Sequence, residues 1–203
     1  MYDWENKEIW TNKRDWYDRS SKSLILTFDD GPSSVLVPIL DILKKHEVKA
    51  MFFWQSRLLH KSRPWKRVLD DGHIIGGHSL RHRDLTRLSY KEQLHDIKSN
   101  KWHIEQLTGQ QMKYFRPPYG QFNEDTLEVL KELDVTPFLW EVAGLDWEHK
   151  ENPVHIVHNI LNHAEDGSVI LLHELKQTVK ILDELITELK AVGYSFTVPP
   201  LKL

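Results

Sequence analysis

From Ser23 onward, short apolar, β-rich runs alternate with stretches in which apolar residues recur at helical spacing. The strand candidates are Leu24 to Phe28, Ala50 to Trp54, His73 to Gly77, Tyr114 to Arg116, Thr136 to Trp140, Ser168 to His173 and Tyr194 to Val198. Several are almost continuously apolar, as strands buried on both faces are. The helices between them carry their own punctuation. Ser89 and Glu92 form a capping box ahead of a helix running to Leu107, and Gly109 lies just beyond it. Asn123 precedes an acidic first turn, and Asn152 with Pro153 reads as a cap and first-turn pair. The last helix aligns Val179, Leu182, Leu185, Ile186, Leu189 and Val192 on one face and stops at Gly193. Repeated strand–helix alternation predicts a parallel α/β sheet or barrel. Residues 1–22 mix charges with Tyr2, Trp4, Trp10, Trp16 and Tyr17 without a period. They read as an N-terminal extension whose aromatics pack on a domain spanning 23–203. No repeat or linker divides that domain.

Composition narrows the classes. Of 203 residues, 40% are hydrophobic and 28% charged, enough apolar material for a core and too much for a disordered chain. With 27 Lys and Arg against 30 Asp and Glu, the net charge of −3 argues against a nucleic-acid partner. There is no cysteine, which removes disulfides, thiolate ligands and a Cys nucleophile. No apolar run approaches the roughly 20 residues of a membrane helix. The opening residues lack a basic segment followed by an apolar stretch, so no signal peptide is expected.

In α/β folds the working residues gather at the C-terminal ends of the strands. The first strand ends in Asp29-Asp30-Gly31-Pro32, two carboxylates that can turn to one mouth only if a metal, proton or cation separates their roles. A second copy, Asp70-Asp71-Gly72, follows Trp65, Val68 and Leu69 at helical spacing and reads as a helix stop with solvated carboxylates. The third strand ends in His78-Ser79-Leu80-Arg81-His82, and two imidazoles four apart lie on one face and can reach one ion if the segment turns helical. Asp30 is the natural third ligand, leaving a position open for water. The fourth strand ends in Arg116-Pro117-Pro118-Tyr119-Gly120. There Arg116 can fork onto a carboxylate, and two prolines leave the next amides near the mouth. His173 and Glu174 follow the sixth strand, and Asp146 could bond the His173 ring. The histidines at 46, 60, 95, 103, 149, 155, 158 and 163 are assigned to solvated structure.

Together, Thr27 to Pro32, His78 to His82, Arg116 to Gly120, Leu145-Asp146-Trp147 and Leu171-Leu172-His173 resemble the ordered motifs of the polysaccharide deacetylase family. This is the NodB-homology domain of the family-four carbohydrate esterases, and the resemblance runs from about Ser23 to Pro199. It implies a distorted (β/α) barrel of about seven parallel strands and a metal-dependent N-deacetylase of N-acetylglucosamine-type sugars. It further implies Asp29 as general base, His173 as general acid, Arg116 supporting Asp29 and Asp146 supporting His173. Asp30, His78 and His82 would bind one divalent ion, Zn²⁺ foremost, with Co²⁺ or Ni²⁺ as alternatives. Tyr119 would offer its backbone N–H to the oxyanion. Pro117, Leu171 and Trp147 would complete the substrate pocket. The expected partner is an N-acetylated carbohydrate, bound by a monomer.

Three positions depart from the family pattern. Gly77 stands where many members have Asn, Ala143 where many have a polar residue, and Glu174 where Asp is usual. Three rival readings are compatible with the sequence: a catalytically silent sugar-binding relative, a metal-free glycosidase with paired carboxylates, and a hydrolase of a small non-sugar amide. The family resemblance favours an extracellular or cell-wall location, whereas the missing leader leaves the cytoplasm open.

Overall fold

The computed structural model describes residues 22–199. Apart from Lys22, the expected N-terminal extension lies outside the described residues. The strands are β1 (Ser23–Gly31), β2 (Ala50–Trp54), β3 (Ile74–Gly77), β4 (Tyr114–Phe115), β5 (Thr136–Pro137), β6 (Val142–Ala143), β7 (Val169–His173) and β8 (Ser195–Phe196). The helices are α1 (Leu36–Lys45), α2 (Trp65–Asp70), α3 (Tyr90–Thr108), α4 (Glu124–Glu132), α5 (Val154–His163) and α6 (Lys176–Ala191). The sheet path is β5-β4-β3-β2-β1-β7-β6, with β8 beside β1, and its pairings are parallel. Seven strands curl into a distorted (β/α) barrel with helices outside. Among the described residues no ladder joins β5 to β6, so the curl stays open there. None of the described helices is long and apolar enough to cross a membrane.

Strand alternation sorts the core into two layers. Leu24, Leu26 and Phe28 of β1 join Ile170 and Leu172 of β7 on the outer face, against α1, α5 and α6. Ile25, Met51, Phe53, Ile74, Tyr114, Phe138 and Val169 fill the inner face. The same period carries Thr27 and Asp29 on β1, and Leu171 and His173 on β7, to that inner face. The registers match, with Thr27 opposite Leu171 and Asp29 opposite His173.

The structure corrects several sequence readings. The expected fifth strand divides, and the two-residue β6 is a strand the periodicity missed, because two residues give no alternation to read. Val192 lies beyond α6 and is exposed, so it does not extend the buried face. Asp71 is not solvated: it pairs with Lys44 at 3.3 Å and Arg67 at 3.2 Å, while Gly72 ends α2 as expected. His46, assigned to solvent, bonds Asp183 at 2.7 Å.

Two features near β3 yield measurable consequences. His73 is buried, and its Nδ1 accepts the Ala50 N–H at 3.1 Å. Burial, opposed by the charge of Asp71, pulls its pKa down to about 4. The unfolded chain therefore takes up this proton first as pH falls. The contribution to stability is intact above about pH 6.5, lost progressively towards pH 4, and amounts to about 3 kcal/mol. Denaturant titrations of His73→Asn, whose amide oxygen can accept the same N–H, are expected to show a flatter pH dependence across that window. An unchanged slope excludes His73 as its source. Gly77 is packed so tightly that a Cβ there would overlap Asn100 Oδ1 and stand 2.6 Å from Met112 Sδ. Gly77→Ala is expected to cost about 1–3 kcal/mol in the same assay.

Candidate active site

The site forms where the strands end. Opposite β2, the β1 ladder slips between Asp29 and Gly31, leaving Asp30 as an extra residue. A bulge of this kind re-aims one side chain. It resolves the geometric problem of adjacent carboxylates, which on a regular strand would face opposite sides. Asp30 adopts φ 65°, and Ser79, His82, Tyr119 and Leu145 also have positive φ, between 55° and 66°. Left-handed backbone at non-glycine residues costs free energy and persists where surrounding structure enforces it. Here five such residues ring one mouth.

Asp30 Oδ1 lies 3.7 Å from His78 Nε2 and 3.4 Å from His82 Nε2. These are too long for hydrogen bonds. Ligands about 2.1 Å from a tetrahedral ion stand about 3.4 Å apart, so the spacing is that of three donors around one cation. The tautomer agrees. His78 Nδ1 bonds the Arg116 carbonyl at 2.7 Å, which places the proton on Nδ1 and turns the Nε2 lone pair to the cluster. Burial and the proximity of the His78 ring, opposed by the carboxylates of Asp30 and Asp29, lower the His82 pKa and favour the neutral, ligating form. The residues present therefore fit a divalent ion, and their mixed imidazole–carboxylate character suits Zn²⁺ or a neighbouring metal.

Asp29 sits beside this cluster. Its Oδ1 accepts Arg116 Nη1 at 2.7 Å, and its Oδ2 is 3.6 Å from His78 Nε2. Arg116 is fully buried and also donates to Thr27 Oγ1 and to the carbonyls of Phe138 and Leu139. Its guanidinium lies 4.2 Å over the Phe53 ring. On the other side of the mouth, His173 Nδ1 and its backbone N–H both bond Asp146, each at 2.7 Å. Burial opposes the charged form of His173, but the bond to Asp146 and the charges of Asp146, Asp29 and Asp30 outweigh it, and the pKa is raised. Trp147 stacks edge-on to His173 at 5.1 Å, and Tyr119 to His82 at 4.6 Å, so an exposed aromatic stands on either side. Leu171 is buried on the inner face below His173, and Pro117 is buried at the head of the turn that carries Tyr119.

Several supporting residues lie outside the motifs. Gln55 Nε2 donates to Asp30 Oδ1 at 2.7 Å and is itself held by Arg57. Thr178 donates to Asp146 at 2.6 Å, and Gln177 donates to the Asp146 carbonyl. Two buried polar residues of α3 brace the histidine loop: Asp96 accepts the Leu80 N–H, and Asn100 donates to the carbonyls of Trp54 and Ser79. A buried polar stripe on a helix, Gln93, Asp96 and Asn100, is the signal that could have found them. Two of the unusual positions also gain a reason. Asn100 occupies the space that a side chain at 77 would need. Glu174 is buried and accepts from Trp54 Nε1 at 2.8 Å and the Ser33 N–H at 2.7 Å, fixing the turn after Asp30. Burial pushes the Glu174 carboxyl up despite these two donors.

Comparison with known proteins identifies the family. Residues 17–138 match the family model described as polysaccharide deacetylase. The peptidoglycan-N-acetylglucosamine deacetylase PgdA of Listeria monocytogenes is 36% identical over 181 residues, covering 88% of this chain and 38% of that protein. The peptidoglycan-N-acetylmuramic acid deacetylase PdaA of Bacillus subtilis is 36% identical over 182 residues, covering 86% of this chain and 69% of that protein. A solved family-four pseudoenzyme from Bacillus anthracis superposes with a TM-score of 0.82 at 29% identity, covering 88% of this chain and 64% of its own. The chain thus spans well under half of the Listeria protein, and the match lies in the domain that carries the clustered residues. It belongs to the polysaccharide deacetylase family.

Proposed function

We propose that this chain is a metal-dependent N-deacetylase of peptidoglycan-type glycans, releasing acetate from N-acetylated sugars. The observation that carries this reading is the placement of two proton carriers, each with its own counter-charge, on either side of one three-donor cluster. Asp29 has Arg116, and His173 has Asp146.

A divalent ion held by Asp30, His78 and His82 would supply Lewis-acid polarisation of the acetyl carbonyl and an acidified water. The chain's own groups do the rest. Asp29, its Oδ1 tied to Arg116, presents Oδ2 to take the proton of the attacking water. Arg116 holds that carboxylate in position between turnovers. The Tyr119 N–H, following two prolines without donors, faces the developing oxyanion. Because Asp146 holds Nδ1, His173 offers Nε2 to the departing sugar nitrogen, which leaves only once protonated. The raised His173 pKa keeps a useful fraction charged near neutrality. Trp147 and Leu171 border the space for the acetyl methyl.

Four measurements test this. Acetate release from N-acetylated peptidoglycan oligomers should require added Zn²⁺ or Co²⁺ and stop with a chelator. His78→Ala and His82→Ala should lose both bound metal and turnover. A fully active, metal-free variant refutes the site, and a chain that binds metal but releases no acetate from any N-acetyl glycan refutes the activity. Asp29→Asn should retain metal while kcat falls at least about 100-fold. Asp146→Asn removes the largest of the interactions that raise the His173 pKa, so the alkaline limb of the pH–rate profile should move to lower pH. An unmoved limb removes His173 as the acid.

A further inference from the structure

Asp29, His78 and His173 each have an orienting partner from within the sequence motifs: the Arg116 guanidinium, the Arg116 carbonyl and Asp146. Asp30 differs. Among the described residues, the one hydrogen bond to its carboxylate comes from Gln55, which belongs to none of the motifs. The Asp30 side chain is 39% exposed, so packing alone does not fix it. The bond lands on Oδ1, the same oxygen that stands 3.7 Å from His78 Nε2 and 3.4 Å from His82 Nε2. Arg57 settles which way the Gln55 amide points. An arginine only donates, so Arg57 Nε at 2.8 Å selects Gln55 Oε1 and turns Nε2 towards Asp30. Gln55 itself is buried, and its segment is tied by backbone bonds to both donor loops. The Gln55 N–H donates to the Gly31 carbonyl at 3.0 Å, and the Ser56 and Arg57 N–H groups donate to the Ser79 and Leu80 carbonyls, each at 3.2 Å. Residues 55–57 therefore bridge the loop that carries Asp30 and the loop that carries His78 and His82.

We infer that Gln55 is a positioning residue for Asp30: held by Arg57, it fixes which carboxylate oxygen joins the two imidazoles and so sets the affinity of the three-donor cluster for a divalent cation. The inference rests on the metal-site part of the reading above. A carboxylate oxygen has two lone-pair sites. With one taken by the Gln55 amide, the other is left for the space between the two Nε2 atoms. Without that bond the half-exposed carboxylate is free to rotate, and the donor set must be reassembled each time an ion binds. Partners of this kind, one bond behind the donors, are worth about 10–100-fold in metal affinity.

The test measures Zn²⁺ affinity of the full chain by competition with a chromophoric chelator, for the wild type, Gln55→Met and Arg57→Met. Gln55→Met keeps the length of the side chain and removes the amide, and its Kd for Zn²⁺ is expected to be about 10–100-fold weaker. Arg57→Met leaves the donor in place but frees the amide to flip, so its loss should be smaller, below about tenfold. Two further readouts separate positioning from packing. The visible absorption bands of the Co²⁺-loaded protein should change in Gln55→Met, and the rise in Tm on adding Zn²⁺ should shrink. A variant whose Tm falls equally with and without Zn²⁺, with Kd and Co²⁺ bands unchanged, shows a packing role and overturns the inference while leaving the metal site intact. A wild-type chain that binds Zn²⁺ but releases no acetate refutes the deacetylase reading, and the affinities of the variants still decide the inference. A wild-type chain that binds neither Zn²⁺ nor Co²⁺ refutes the metal site and the inference with it.

Discussion

A charge pair with no access to water organises this molecule. Arg116 and Asp29 meet at 2.7 Å with both side chains essentially buried. Removing two ions from water is costly, and their attraction offsets that cost only when the remaining donors are also satisfied. Thr27, the Phe138 and Leu139 carbonyls and the face of Phe53 meet that condition. The consequence is geometric. One guanidinium ties the end of β1 to the chain beyond β5, where the sheet path has its open edge. It also fixes which oxygen of Asp29 is left for chemistry.

The histidine loop is held by a different device. β3 ends in a glycine because α3 approaches closely there, and the space is taken by Asn100. That amide, with Asp96 one turn earlier, ties the loop to the helix at Leu80 and Ser79. The donors of the cluster are thus set by backbone contacts that reach back to α3, and the strained backbone at Ser79 and His82 is maintained by them. Helix α6 plays the corresponding part opposite, where Thr178 and Gln177 hold Asp146. Each half of the chemistry therefore has its own supporting helix, and a change in one need not disturb the other.

The sequence alone determined the alternation of strands and helices, the caps at Ser89, Asn123 and Gly109, and the positions at which β1, β3, β4 and β7 run out. These follow from local periodicity and from residues with restricted backbone preferences, both readable over a few neighbours. It also separated the two Asp-Asp-Gly copies, because one follows a strand and the other a helix. What it did not contain was any distance. The bulge that swings Asp30 to the same mouth as Asp29 depends on pairing with β2. Gln55, Asp96, Asn100, Thr178 and Glu174 look like ordinary polar residues until the fold buries them. Strand β6 is too short to have a period. The three-donor spacing joins residues up to 52 positions apart in the chain. Tertiary structure decided these features because hydrogen bonds and ligand geometry act over a few ångströms in space, whichever positions along the chain supply the atoms.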